Sequence, residues 1–82
     1  RIEFGKWLKF QRENKGLTQM DLARLLNYDN PQIISNIERG FSALPAKRIT
    51  DFAQHLGCSS LELEVRRMWA SAKDDTSASA LE

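Results

Sequence analysis

Between Thr18 and Gly40, in the stretch TQMDLARLLNYDNPQIISNIERG, two short helical patterns meet across a four-residue turn, and so brief a turn constrains how the rest of the chain must pack. Met20, Leu22, Ala23, Leu25 and Leu26 form the apolar stripe of the first pattern. Thr18 stands three residues before Asp21, the spacing at which a hydroxyl and a carboxylate satisfy the open amides of a helix start. A helix from about Thr18 to Leu26 is predicted. Asn27, Tyr28, Asp29 and Asn30 break the pattern with residue types that tolerate left-handed backbone and bond their own main chain. Asn30-Pro31 restarts a helix, because Asn accepts from exposed amides and proline at a first helical position loses no donor the helix would have used. Its apolar residues are Ile33, Ile34 and Ile37, and Gly40 is a natural stop. Gln32, Ser35, Asn36 and Arg39 are left on the outer faces. There they carry donors and acceptors that suit a base edge or a phosphate.

Eighty-two residues make one domain, which buries only roughly 60–65% of its unfolded surface. A single cysteine excludes an internal disulfide, and Cys58 with His55 is too small a set for zinc, so no metal and no cofactor are expected. These two read as a small core residue and a helix-surface histidine. No apolar run approaches the ~20 residues of a membrane span and no signal peptide is recognisable, which predicts a soluble intracellular protein. Arg1 is not a start methionine, and the natural chain is expected to begin upstream of it.

The net charge of +1 becomes informative only when divided by position. Residues 1–57 carry nine basic and six acidic side chains, a balance of +3, whereas residues 58–82 carry three against five, a balance of −2. An anionic partner near the first four helices is favoured.

Helix 1 is predicted over Ile2–Lys15, with Phe4, Trp7, Leu8 and Gln11 sharing a face and Gly16 ending it. Arg12 follows Leu8 by one turn and so lies along the buried stripe, where a guanidinium needs a carboxylate. Glu38, after Ile34 and Ile37, is the partner at hand; the alternative is two solvated surface charges. Phe10 lies beside Trp7 at helical spacing, either under the last helix or on a partner surface. Pro45 opens helix 4, with Ile49, Phe52, Ala53 and Leu56 at three- and four-residue intervals and Gly57 at its close. Lys47 and Arg48 fall in its first turn, where cations oppose the helix dipole, so that either a nearby phosphate or simple solvation accounts for them.

Ser59 with Glu62 forms a second capping pattern, and helix 5 is predicted from Ser60 to about Ala72. Leu61, Val65, Met68, Trp69 and Ala72 share one face while Leu63 points elsewhere. Two apolar faces leave two readings: Val65, Met68 and Trp69 meet a second copy of the chain, or Met68 and Trp69 fold back on Trp7 and Phe10. Residues 1–72 then form the folded domain, and residues 73–82 are expected to be a disordered tail.

The ordered set Leu8, Arg12, Gly16-Leu17-Thr18-Gln19, Leu22-Ala23, Ile34-Ser35, Ile37-Glu38-Arg39-Gly40 and Leu56-Gly57 resembles the phage repressor/Cro family of helix-turn-helix proteins, the XRE type, over about Phe4 to Leu63. The resemblance implies an all-α, five-helix repressor-like DNA-binding domain, with helix 2 across the DNA backbone and helix 3 in the major groove. It further implies a bacterial or phage-encoded cytoplasmic repressor that binds double-stranded DNA as a homodimer on a palindromic operator. Carried over residue by residue, Gln32, Ile33 and Asn36 read bases, with Ile33 offering apolar contact to a thymine methyl. Gln19, Ser35, Arg39, Lys47 and Arg48 contact the backbone, and Arg12 with Glu38 match the family's buried ion pair.

The chain departs from the family pattern in having Asn27 for the turn glycine, one extra residue in the turn, and another between Gly40 and Lys47. Burying Ile34 and Ile37, rather than Asn36, decides the frame. A different class of function, an antitoxin or partner-binding module on the same fold with DNA binding secondary, is motivated by the two-faced helix 5 and by Trp7 and Phe10. An enzyme is not expected, since the chain has no clustered nucleophile and base, no metal set and no glycine-rich phosphate loop.

Overall fold

In the computed structural model the described residues form five α-helices: α1 (Ile2–Asn14), α2 (Gln19–Leu25), α3 (Gln32–Glu38), α4 (Ile49–Leu56) and α5 (Ser60–Leu81). A 3-10 turn, Ala46–Arg48, leads into α4. The structure describes residues 2–81, of which 71–81 are described by backbone alone; the tail expected over 73–82, and the side chain of Ala72, lie outside the residues described in full. Among the described residues no helix is long and apolar enough to cross a membrane.

Local chemistry sets the helix ends. Thr18 caps α2: its Oγ1 accepts from Asp21 N at 3.0 Å, and the Asp21 carboxylate accepts from Thr18 N at 2.9 Å. At the other end Asn27 takes a left-handed φ of 65°, so that Tyr28 N reaches Ala23 O at 2.8 Å and Asn27 N reaches Arg24 O at 3.0 Å. Asparagine tolerates this conformation better than other residues with a Cβ, which is how the chain turns here without a glycine. Asn30 Oδ1 then accepts from Gln32 N at 2.9 Å and starts α3. At α5 the cap is one-sided: Ser59 Oγ accepts from Leu61 N at 3.1 Å and Glu62 N at 3.4 Å, while the Glu62 carboxylate lies 3.6 Å from Arg66 Nε.

The core gathers Leu8 from α1, Leu22 and Ala23 from α2, Leu26 just beyond it, Ile34 and Ile37 from α3, Phe52 and Leu56 from α4, and Leu44 from the loop between. Ile34 and Ile37 are fully buried, and Asn36 is only half-buried, so the frame with the longer turn is the one the fold adopts. α1 crosses the end of α3 at Gly5, where a Cβ would stand 2.3 Å from the Glu38 carbonyl oxygen and 2.6 Å from that of Ile37. Only glycine permits this approach.

α5 corrects an expectation. Leu63, the apolar residue off its main stripe, is the one buried, at 0% exposure, whereas Leu61, Val65, Met68 and Trp69 remain exposed. Met68 and Trp69, 54% and 67% exposed, do not fold back on Phe10, which is itself exposed. The reason is geometric: the face with Leu63 and the partly buried Ala70 closes the core, and Arg66 stacks on Trp7 with its guanidinium carbon 4.5 Å from the ring centroid. Both expected partners of Met68 and Trp69 are thereby occupied or turned outward, as Trp7 packs on Phe4 at 6.0 Å between ring centroids.

Candidate nucleic-acid interface

Burial of Ile34 and Ile37 turns the opposite side of α3 outward, and one side-chain hydrogen bond organises that side. Gln32 Nε2 donates to Asn36 Oδ1 at 2.9 Å, one helical turn apart. Gln32 is exposed and Asn36 half-buried, and the pair retains the Gln32 carbonyl and unused amide N–H groups. A side-chain amide carries adjacent donor and acceptor groups, the arrangement that meets the N6 and N7 edge of adenine. Ile33 is half-buried and packs on the core, so only part of its side chain faces outward. Ser35 is half-buried on the same helix.

Arg39 stands at the end of α3. Its guanidinium lies 4.4 Å from the centroid of the Phe41 ring, and both residues are exposed. Gly40, at φ 80°, lets the Phe41 N–H return to Asn36 O at 2.8 Å, which holds the ring beside the helix end. Phe41 was not recognisable as part of this surface from the sequence; an exposed aromatic immediately after a helix-stop glycine was the available signal.

Lys47 is exposed on the 3-10 turn, while its neighbour Arg48 is half-buried and turns inward. Arg48 Nη2 donates to the Leu26 carbonyl, Nε donates to Asp51 Oδ2 at 3.2 Å, and the guanidinium lies 4.8 Å from the Tyr28 ring centroid. Tyr28, predicted only as a turn residue, is thus a stacking partner.

Behind the surface, Arg12 and Glu38 are both buried. Arg12 Nε and Nη2 donate to the two Glu38 oxygens at 2.6 and 3.1 Å, and Nη1 donates to Leu17 O at 2.6 Å. Gln19, at the start of α2, donates from Nε2 to Glu38 Oε1 at 2.9 Å, so α2 and α1 converge on one carboxylate of α3. Elsewhere burial, and secondarily the charge of Glu62, pushes the Cys58 thiol up, which favours its protonated form. Among the described residues no three His, Cys, Asp or Glu side chains are grouped to hold a metal ion.

A helix-turn-helix family model matches residues 8–63. The endothelial differentiation-related factor 1 homolog of Danio rerio is 46% identical over 48 residues, which are 58% of this chain; the chain spans about a third (32%) of that relative's length. Among solved structures, the restriction-modification controller protein C.AhdI from Aeromonas hydrophila is 31% identical, with a TM-score of 0.67 over 76% of this chain and 88% of that one. The clp gene regulator ClgR from Corynebacterium glutamicum, at 21% identity, shares the fold with a TM-score of 0.68 over 98% of this chain and 84% of its own.

Proposed function

The chain belongs to the XRE-type helix-turn-helix family of non-enzymatic, DNA-binding transcription regulators, and from that premise we propose that it is a repressor that binds a palindromic operator as a homodimer. α3 enters the major groove, and the protein acts by occluding a promoter in the cytoplasm. The observation that carries this reading is the hydrogen-bonded Gln32 and Asn36 pair, presented outward by a helix whose other side is anchored by Ile34 and Ile37. Gln32 and Asn36 read base edges, with the outward part of Ile33 against a thymine methyl. Arg39 and Lys47 meet phosphates, joined by the Ser35 hydroxyl and by the Gln19 amide N–H not spent on Glu38.

Dimerisation falls to α5. Val65, Met68 and Trp69 lie at three- and four-residue spacing on one face and are exposed in the single chain, which suits a self-complementary contact. Selection of bound duplexes from a random pool tests the whole reading. Enriched inverted repeats with a spacing of about 34 Å between half-sites are expected; a pool returned without enrichment would refute it. The exposed α5 face also favours a second reading, a module that holds a different protein, with DNA binding secondary. A monomer in sedimentation with no DNA preference and a stoichiometric co-purifying protein would establish that reading instead.

A further inference from the structure

We infer that Arg48 and Tyr28 form a strap that fixes the tilt of α3, making them determinants of base specificity that act by positioning rather than by touching DNA. The inference rests on the reading of α3 as the recognition helix.

Two seven-residue helices are too short to hold their mutual angle unaided, and the segment between them is irregular. Ile34 and Ile37, both fully buried, seat the inner side of α3, and Glu38 at its end is gripped by Arg12 and Gln19. The chain enters α3 from the lengthened turn, and Arg48 braces that turn, which sets the direction in which the first turn of the helix departs. One guanidinium bonds the Leu26 carbonyl, which lies beyond the last residue of α2, pairs with Asp51 in the first turn of α4, and stacks on the ring of Tyr28 in the turn itself. Tyr28 transmits this bracing, since its own N–H is bonded to Ala23 O in α2 and its ring packs on the core.

The geometry makes Gln32 the residue most sensitive to the strap. From Glu38 to Gln32 the helix rises about 9 Å, so a tilt of roughly 10° about the Glu38 anchor moves Gln32 by about 1.5 Å. A displacement of that size breaks a bidentate hydrogen bond to a base edge. Phosphate contacts, which rely on charge more than on angle, tolerate it.

Arginine and lysine separate positioning from phosphate contact. Both present a positive charge, but only arginine has the planar fork that can bond a carbonyl and a carboxylate while stacking on a ring. The experiment measures affinity for the selected duplex and for a scrambled duplex at two salt concentrations, for wild type, Arg48→Lys, Arg48→Ala, Tyr28→Phe and Tyr28→Leu, with urea midpoints recorded in parallel. Arg48→Lys is expected to lower the ratio of selected to scrambled affinity about tenfold while leaving scrambled binding and its salt slope unchanged. Tyr28→Phe keeps the ring and the ratio; Tyr28→Leu behaves like Arg48→Lys; the double variant Arg48→Lys with Tyr28→Leu is no worse than either alone.

If Arg48→Lys retains the wild-type ratio, and Arg48→Ala weakens both duplexes equally with a shallower salt slope, Arg48 is a phosphate contact and the strap is overturned. Unchanged ratios with only a lowered urea midpoint overturn it equally, as they leave a brace without influence on reading. A wild type that discriminates no duplex overturns the recognition-helix reading and the strap together, whereas failure of the strap alone leaves wild-type discrimination intact.

Discussion

Arg12 Nε donates to Glu38 Oε2 at 2.6 Å and Arg12 Nη2 to Glu38 Oε1 at 3.1 Å, a forked contact between buried side chains twenty-six residues apart that fastens α1 to the end of α3. Removing either partner leaves an uncompensated buried charge. Arg12→Ala or Glu38→Ala is therefore expected to cost about 3–5 kcal/mol, read from urea unfolding. Replacing both with apolar residues of similar volume is expected to recover most of that loss, since the desolvation of both charges is then avoided.

Gly5→Ala sets two effects against each other. Alanine improves helix propensity by about 1 kcal/mol. The added Cβ, however, would lie 2.3 Å from a backbone carbonyl oxygen, which cannot swing away as a side chain would. Overpacking of this kind typically costs about 1–3 kcal/mol, and contact with backbone belongs at the upper end, so net destabilisation is expected in urea. A variant as stable as wild type would show that α1 does not approach α3 this closely.

Asp21 gives stability an acid limb. The Thr18 backbone N–H and then the Thr18 hydroxyl hold its carboxyl below the ordinary value of 3.8, outweighing the opposing effect of burial, with the charge of Arg24 as the least of the four. A group whose folded value is depressed contributes fully above its unfolded value, and loses that contribution as pH falls through the lower folded one. Wild type should therefore lose urea stability more steeply below about pH 4 than Asp21→Asn. Equal slopes would remove Asp21 from the acid response.

Gln32→Ala is expected to cost about 1–3 kcal/mol on the selected duplex and to relax one base position, with scrambled duplex bound as before. Lys47→Ala should instead weaken binding to every sequence and lower the salt slope by about one. Titration at two salt concentrations distinguishes the two, because a base contact changes the preference and a phosphate contact changes the slope.

Trp69→Glu places a charge on the exposed face of α5. At protein concentrations too low for the dimer to form, the unfolding free energy in urea is expected to change by less than about 0.5 kcal/mol, as befits a site exposed in the single chain. Sedimentation should shift from dimer to monomer, and a dimer that persists would move the interface elsewhere.

Much of the helix-turn-helix unit was legible because its determinants are local. Thr18 and Asp21 cap a helix three residues apart, Asn27 turns left-handed where a glycine is usual, and the three-residue spacing of Ile34 and Ile37 turns both toward the core. The longer turn followed from the same periodicity, since the other frame would have buried Asn36. α5 was harder to read. Hydropathy marks its longest stripe, but a stripe does not reveal which neighbours are already taken, and Leu63 rather than Trp69 closed the core. Arg48 was illegible for a related reason: a cation before a helix has no local partner to suggest the Leu26 carbonyl, twenty-two residues earlier.

By itself the amino-acid order determined five helical segments, where the first four stop, and which outer residues of α3 carry hydrogen-bonding chemistry, because capping, left-handed turns and helical periodicity act within a few residues. Tertiary structure alone decided which face of α5 was buried, that α1 would cross α3 at Gly5, and that Arg48 would turn inward to Tyr28 while Lys47 stayed in solvent. Those outcomes depend on the space and the unsatisfied polar groups that other helices present. They exist only once the helices have met.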